Sequence, residues 1–208
     1  MIDIDPFNPL TAELNAAVQA MTLPALRHLA ALGVPLEICG RLHGAGDIGL
    51  ARVSVGKGGL WELEGAEQRL ILAVRLHGVL IDLLALSSSD QDSWALRTGV
   101  GSLLGQEALD EAFWAARFGI GGVTLALHAT PFDWLMAGAA GVCVLDWDAA
   151  ALGELRGLGR EVTLVTDSEE AAARLHDLLR WGGLPRVVAR GAHAAGGSAT
   201  GESERRAA

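Results

Sequence analysis

The spacing of apolar residues changes period along the chain, and each change predicts a different kind of element. Between residues 10 and 33 the spacing is helical, with a break at Thr22-Leu-Pro24, where a threonine can cap and a proline suits the first helical turn. Two short helices are predicted there, the second ended by Gly33 ahead of Val34-Pro35. From Ile48 to Thr98 the period falls to two. Ile48–Val55, Leu60–Glu64, Arg69–Val74, Val79–Leu86 and Ser93–Thr98 read as short strands of an antiparallel meander, turning at Gly56-Lys-Gly-Gly59, His77-Gly78 and Ser87–Asp92. Residues 105 to 118 form a predicted helix with acids early and Arg117 late, as the helix dipole favours, stopped by Gly119, Gly121 and Gly122.

Beyond that point strands and helices alternate. Val123–His128, Val142–Leu145, Val162–Thr166 and Arg186–Ala189 are apolar without polar alternation, and single predicted helices separate them at Pro131–Ala140, Ala149–Leu158 and Ser168–Trp181. Such strands belong to a parallel sheet covered on both faces and joined by right-handed crossovers. The expected architecture is α/β: a helix-plus-antiparallel-sheet region over residues 1–120 and a parallel α/β domain over 121–190. Residues 191–208 are small, polar and patternless, as in a disordered tail.

Composition narrows the options. With 208 residues, 50% of them hydrophobic and 20% charged, the chain can bury a substantial core. Its net charge of −9 has the wrong sign for gripping nucleic acid by bulk charge, so any such role is local or metal-assisted. Cys39 and Cys143 lie in apolar contexts far apart, which excludes a disulfide framework or a Cys-rich zinc module and predicts buried thiols. Acidic residues open the chain and no apolar run matches a bilayer span, so a soluble, cytoplasmic protein is expected, with no membrane partner. The six tryptophans are scattered rather than grouped as a stacking platform, and Trp61, Trp94 and Trp114 are read as core.

In an open parallel sheet, ligands bind outside the carboxyl ends of the strands. Those ends carry His128-Ala-Thr130, Asp146-Trp-Asp148 and Asp167-Ser-Glu169. Carboxylates two residues apart at such a turn can share a Mg²⁺ ion, which takes a few hard oxygen ligands and keeps several waters. The same residues also sit where helix caps belong. Asp148, and either Asp167 or Ser168, are N-cap candidates, and Thr130-Pro-Phe-Asp133 has the form of a capping box. His128, alone at the end of an apolar strand, reads as a satisfied structural histidine.

Two of these segments resemble the motifs of Toprim domains. Ala129-Thr-Pro-Phe-Asp-Trp-Leu135 is similar to the first motif, a strand ending in Glu-Gly and leading into a helix that carries an Asp. Leu164-Val-Thr-Asp-Ser-Glu-Glu-Ala-Ala-Ala173 is similar to the second, a strand ending in Asp-x-Asp, and Gly141-Val-Cys-Val-Leu145 supplies the intervening strand. Upstream, Leu70–Val74, Ile81-Asp-Leu-Leu-Ala85 and Trp94-Ala-Leu-Arg-Thr-Gly99 resemble the strand-rich region before Toprim in primases of phages and mobile elements. The resemblance implies a primase-related protein of DNA replication. It would be a Mg²⁺-dependent nucleotidyltransferase if active, working on a DNA or RNA primer-template beside a helicase or other replication protein.

The match departs from the family at the residue that matters most. The motif glutamate falls at Ala129 and its glycine at Thr130, so no acid–base group stands there and no catalytic residue is assigned. Asp167 matches the first aspartate, Glu169 replaces the second, and Asp146 is the candidate third metal ligand. For nucleic acid, the basic candidates are Arg97, inside the resembling segment, with Lys57 and Arg52 on the first hairpin. The loss of the glutamate also fits a non-catalytic scaffold binding a replication partner or nucleic acid. A further alternative is a dinucleotide-binding enzyme, with Gly99-Val-Gly101-Ser-Leu-Leu-Gly105 as the loop approaching a pyrophosphate.

Overall fold

A computed structural model describes residues 8–119, 122–180 and 185–189. It is a mixed α/β fold with two five-stranded sheets. The first three helices are α1 (Pro9–Gln19), α2 (Leu23–Ala31) and α3 (Leu36–Ala45). Asn8 and Thr22 cap α1 and α2 through their side chains, and each helix has a proline in its first turn. Helix α3 was not foreseen, because its two internal glycines and its start after Pro35 hide the periodicity.

The first sheet contains β1 (Ile48–Val55), β2 (Trp61–Leu63), β3 (Glu67–Leu76), β4 (Val79–Leu86) and β5 (Trp94–Leu96), in the order β2-β1-β3-β4-β5. Every pairing is antiparallel, as expected, but the order is not a simple meander because β1 lies between β2 and β3. The β3–β4 hairpin turns on His77 (φ 49°) and Gly78 (φ 82°), the paired positive values of a two-residue hairpin turn. Alternation sends Ala51, Val53, Ile71, Leu83 and Ala85 toward Leu10, Leu14 and Ala17 of α1. The opposite face, with Ile48, Leu50, Leu70, Leu72, Leu84 and Leu86, meets Leu29, Cys39 and Leu42 of α2 and α3.

The second sheet has the order β10-β9-β7-β8-β6. It is built from β6 (Leu103–Leu104), β7 (Val123–His128), β8 (Val142–Val144), β9 (Val162–Thr166) and β10 (Arg186–Ala189). Strands β10, β9, β7 and β8 are parallel, while β6 runs antiparallel along β8. The intervening helices are α4 (Gln106–Arg117), α5 (Pro131–Met136), α6 (Ala149–Gly157) and α7 (Glu169–Leu179). Phe132, Trp134 and Leu135 of α5 join the core shared with the first sheet. Residues of α4, α6 and α7, among them Leu109, Leu155 and Leu175, fill a core on the other face. The sheet is therefore covered on both faces, and strand β6 and helix α4 extend it upstream of residue 121.

Helix α5 is shorter than the predicted Pro131–Ala140, because Gly138 and Ala139 take positive φ values of 82° and 55°. Both cysteines are fully buried free thiols, as expected. Burial pushes the Cys143 thiol up to about 12. Trp61 is core at 1% exposure and Trp94 packs at its margin, but Trp114 is 56% exposed and so is not the core residue its apolar surroundings suggested. No helix among the described residues is long and apolar enough to cross a membrane. The predicted tail over 191–208 lies outside the described residues.

Candidate functional site: the strand-end crevice

The chain leaves β7 for α5 on one face of the second sheet and leaves β9 for α7 on the other. These two strands are neighbours, so their carboxyl ends open a crevice at the point where the strand order reverses, the position at which open α/β sheets bind ligands. A pocket of about 280 Å³ lies there. His128 and Ala129 line it from the end of β7, Thr166 and Asp167 from the end of β9, Trp147 from beyond β8, and Glu170 and Arg174 from α7.

Local geometry sorts the caps from the groups that face this pocket. Ser168, not Asp167, is the N-cap of α7, its hydroxyl accepting from Ala171 N at 3.1 Å. Asp148 caps α6, accepting from Ala151 N at 2.7 Å. Thr130 and Asp133 form the reciprocal capping box expected of them, with Thr130 Oγ1 accepting from Asp133 N at 3.0 Å. Asp167 is thereby separated from the capping role and placed at the mouth of the pocket.

His128 is deeply enclosed in the crevice, its side chain only 2% exposed. Its Nε2 lies 2.8 Å from the carbonyl oxygen of Ala140, which can only accept, so Nε2 carries a proton. That leaves Nδ1 facing the Asp167 carboxylate at 4.0 Å. The expected structural histidine is thus structural through one nitrogen and part of the crevice through the other.

The proposed metal ligands do not share this geometry. Of Asp146, Asp167 and Glu169, only Asp167 lines the pocket, and the second acid there is Glu170, one position further along α7. Among the described residues no group of three or more His, Cys, Asp or Glu side chains is placed to hold a metal ion. Asp167 and Glu169 fall on opposite sides of the cap residue, where the extended Ser168 gives way to helix. Trp147 and Arg174 were missed in the sequence. Trp147 stood between two acids that drew the attention, and Arg174 belongs to the crevice only because α7 folds back over β9.

The basic candidates are dispersed as well. Arg97 grips Glu13 of α1 through Nε and Nη2 at 2.9 and 3.1 Å, donates to the Trp61 carbonyl and stacks over the Trp61 ring at 5.3 Å. It clamps α1 to the sheet edge. The bond from Glu13 holds the Arg97 guanidinium above its already high ordinary value. Arg52 and Lys57 are exposed on the first hairpin, Arg69 is buried, and Arg75 is paired with Asp47 at 2.7 Å, so these residues do not assemble a basic stripe.

The glycine loop has a different occupant from the one its sequence suggested. Asp82 of β4 is fully buried and its carboxylate accepts from the backbone N–H groups of Leu83, Arg97, Thr98, Val100 and Gly101 at 2.8–3.0 Å. Two of the amides offered to a pyrophosphate, those of Val100 and Gly101, are already bonded to the Asp82 carboxylate. Gly101 has its own packing reason, since a Cβ there would lie 2.8 Å from Val74 Cγ1. Substituting it would disturb the fold whether or not a dinucleotide bound.

No family model, curated protein or solved structure matches the chain.

Proposed function

We propose that this chain is a Toprim-like, primase-related protein of DNA replication in a phage or mobile element. In this reading the strand-end crevice is kept as a binding site for nucleic acid or a replication partner, while metal-dependent nucleotidyl transfer is lost. One observation carries it: at the adjacent ends of β7 and β9 the crevice pairs Ala129, where the motif glutamate would stand, with Asp167, and Asp146 and Glu169 are not among its lining residues. A methyl group cannot move a proton, and of the three expected metal-ligand carboxylates the crevice carries only Asp167. A second reading, an active Mg²⁺-dependent enzyme, draws support from Asp167 itself, which faces the crevice instead of capping a helix.

Thermal unfolding with and without Mg²⁺ or Mn²⁺ at fixed ionic strength separates the two. An ion bound only by the folded state adds about 2.7 kcal/mol at a hundred times its dissociation constant. The binding-module reading expects the same melting temperature with and without metal, in the wild type and in Asp167→Asn. It also expects anisotropy of a labelled single-stranded DNA to rise with protein in the presence of EDTA. Metal stabilisation that disappears in Asp167→Asn would overturn it in favour of a working acidic site and direct attention to primer-synthesis assays.

A further inference from the structure

The strand-end crevice holds two hydrogen-bond acceptors face to face. Because His128 donates its Nε2 proton to the Ala140 carbonyl at 2.8 Å, Nδ1 of the neutral ring can only accept. It faces the Asp167 carboxylate, also an acceptor, across 4.0 Å, too far for a bond between them. The His128 side chain is 98% buried by its 2% exposure, and both residues line the crevice, so the pair is aimed into it. Two acceptors held in this way are complementary to a ligand edge that carries two N–H donors side by side.

The rest of the lining says what carries such an edge. Leu127, Val144, Leu175 and Leu178 supply apolar surface, and Trp147, 39% exposed, adds an aromatic one. Surfaces of this kind disfavour a charged head group and suit a flat, neutral ring. The volume of about 280 Å³ lies just under the ~300 Å³ at which small-molecule pockets begin, so the crevice suits one base and not a duplex. Arg174 stands in the same lining and is a cation available to a nucleotide's phosphate.

We infer that the crevice receives a single unstacked guanine of a single strand, with its N1–H and N2–H donors bonded to His128 Nδ1 and Asp167 and its ring against Trp147. The inference rests on the reading of the crevice as a nucleic-acid site and names the base that site takes. Adenine and cytosine place a ring-nitrogen acceptor beside their amine, and thymine sets its one N–H between two carbonyls, so each brings an acceptor against an acceptor. An arginine of a partner protein offers the same donors but carries its charge among apolar side chains.

Fluorescence anisotropy of labelled oligothymidine carrying one central dG, in EDTA and at fixed salt, tests this with the full chain. The dG strand is expected to bind about tenfold more tightly than the all-thymine strand or strands with a central adenine or cytosine. Inosine at the same position lacks the N2 amine and is expected to lose that advantage. Asp167→Ala is expected to hold all strands alike at the all-thymine level, and Trp147→Ala to weaken every strand, with circular dichroism checking that both variants are folded. A wild type that holds every strand equally would overturn the inference and leave the crevice a nucleic-acid site without base preference. A dG preference that survives Asp167→Ala would overturn it by placing the preference elsewhere. No DNA binding at all would overturn it together with the nucleic-acid half of the reading it rests on. An arginine-rich peptide held by the wild type and not by Asp167→Ala would then identify a protein's guanidinium as the occupant.

Discussion

The two sheets use their polar residues in opposite ways. In the first, polar groups are spent on construction: Asp82 binds the loop at 97–101, Arg97 binds Glu13, and Arg75 binds Asp47. In the second, His128, Asp167, Glu170 and Arg174 converge on an open pocket at the strand ends. Connectivity is the reason. Antiparallel strands return through short turns whose backbone amides must be satisfied locally, and a buried carboxylate does so efficiently. Parallel strands end together along one edge, where chain direction reverses on opposite faces and leaves a crevice.

Removing the anion of the first sheet is the most severe way to break this contrast. Asp82→Ala orphans loop amides in a buried place and is expected to cost about 4 kcal/mol in denaturant unfolding. If the cost were under ~1 kcal/mol, the loop would not depend on its internal anion and the glycine loop would again be a ligand candidate. Gly105→Ala comes next, at about 3 kcal/mol. Gly105 has φ 78° and an added Cβ would lie 2.1 Å from the Gly141 carbonyl oxygen, with backbone on both sides of the clash.

Arg97→Ala is expected to cost about 2 kcal/mol, with a coupling of about 1 kcal/mol to Glu13→Ala in a double-mutant cycle. An additive pair would return Arg97 to the list of nucleic-acid contacts. Asp167→Asn, at a side chain 39% exposed, is expected to change stability by less than about 0.5 kcal/mol while altering whatever binds the crevice. The smallest effect belongs to His77, which Asp110 holds protonated above the ordinary histidine range through a bond at 2.9 Å. A raised folded-state value stabilises fully below the unfolded value of 6.5 and loses that contribution as pH climbs through the raised one. His77→Ala is therefore expected to lower the melting temperature slightly at pH 5.5 and not at pH 9, a difference that thermal scans at the two pH values would show.

Much of the fold was legible because its signals are local. Thr22 and Thr130 sit where caps belong, the His77-Gly78 pair carries a hairpin, and period-two and apolar runs mark nearly every strand. What escaped was short or diluted, namely the glycine-containing α3 and the two-residue β6, which is defined only by its pairing with β8. The placing of β1 between β2 and β3 escaped for a related reason: alternation tells which face a residue takes, not which strand lies beside it.

The site divides along the same line. That polar residues, Asp167 among them, would stand together at the strand ends followed from the sequence alone, because a parallel sheet gathers its carboxyl ends whatever the details. Tertiary structure decided which neighbours share the crevice. It chose Glu170 over Glu169 by where α7 begins, brought Arg174 and Trp147 alongside, and turned one nitrogen of His128 toward Ala140 and the other toward Asp167. It also gave Arg97 and the Val100 and Gly101 amides of the glycine loop internal partners. Residue type and local spacing set what a side chain can do, but the partner it meets depends on chain segments tens of residues away, and that pairing is encoded only in the packed whole.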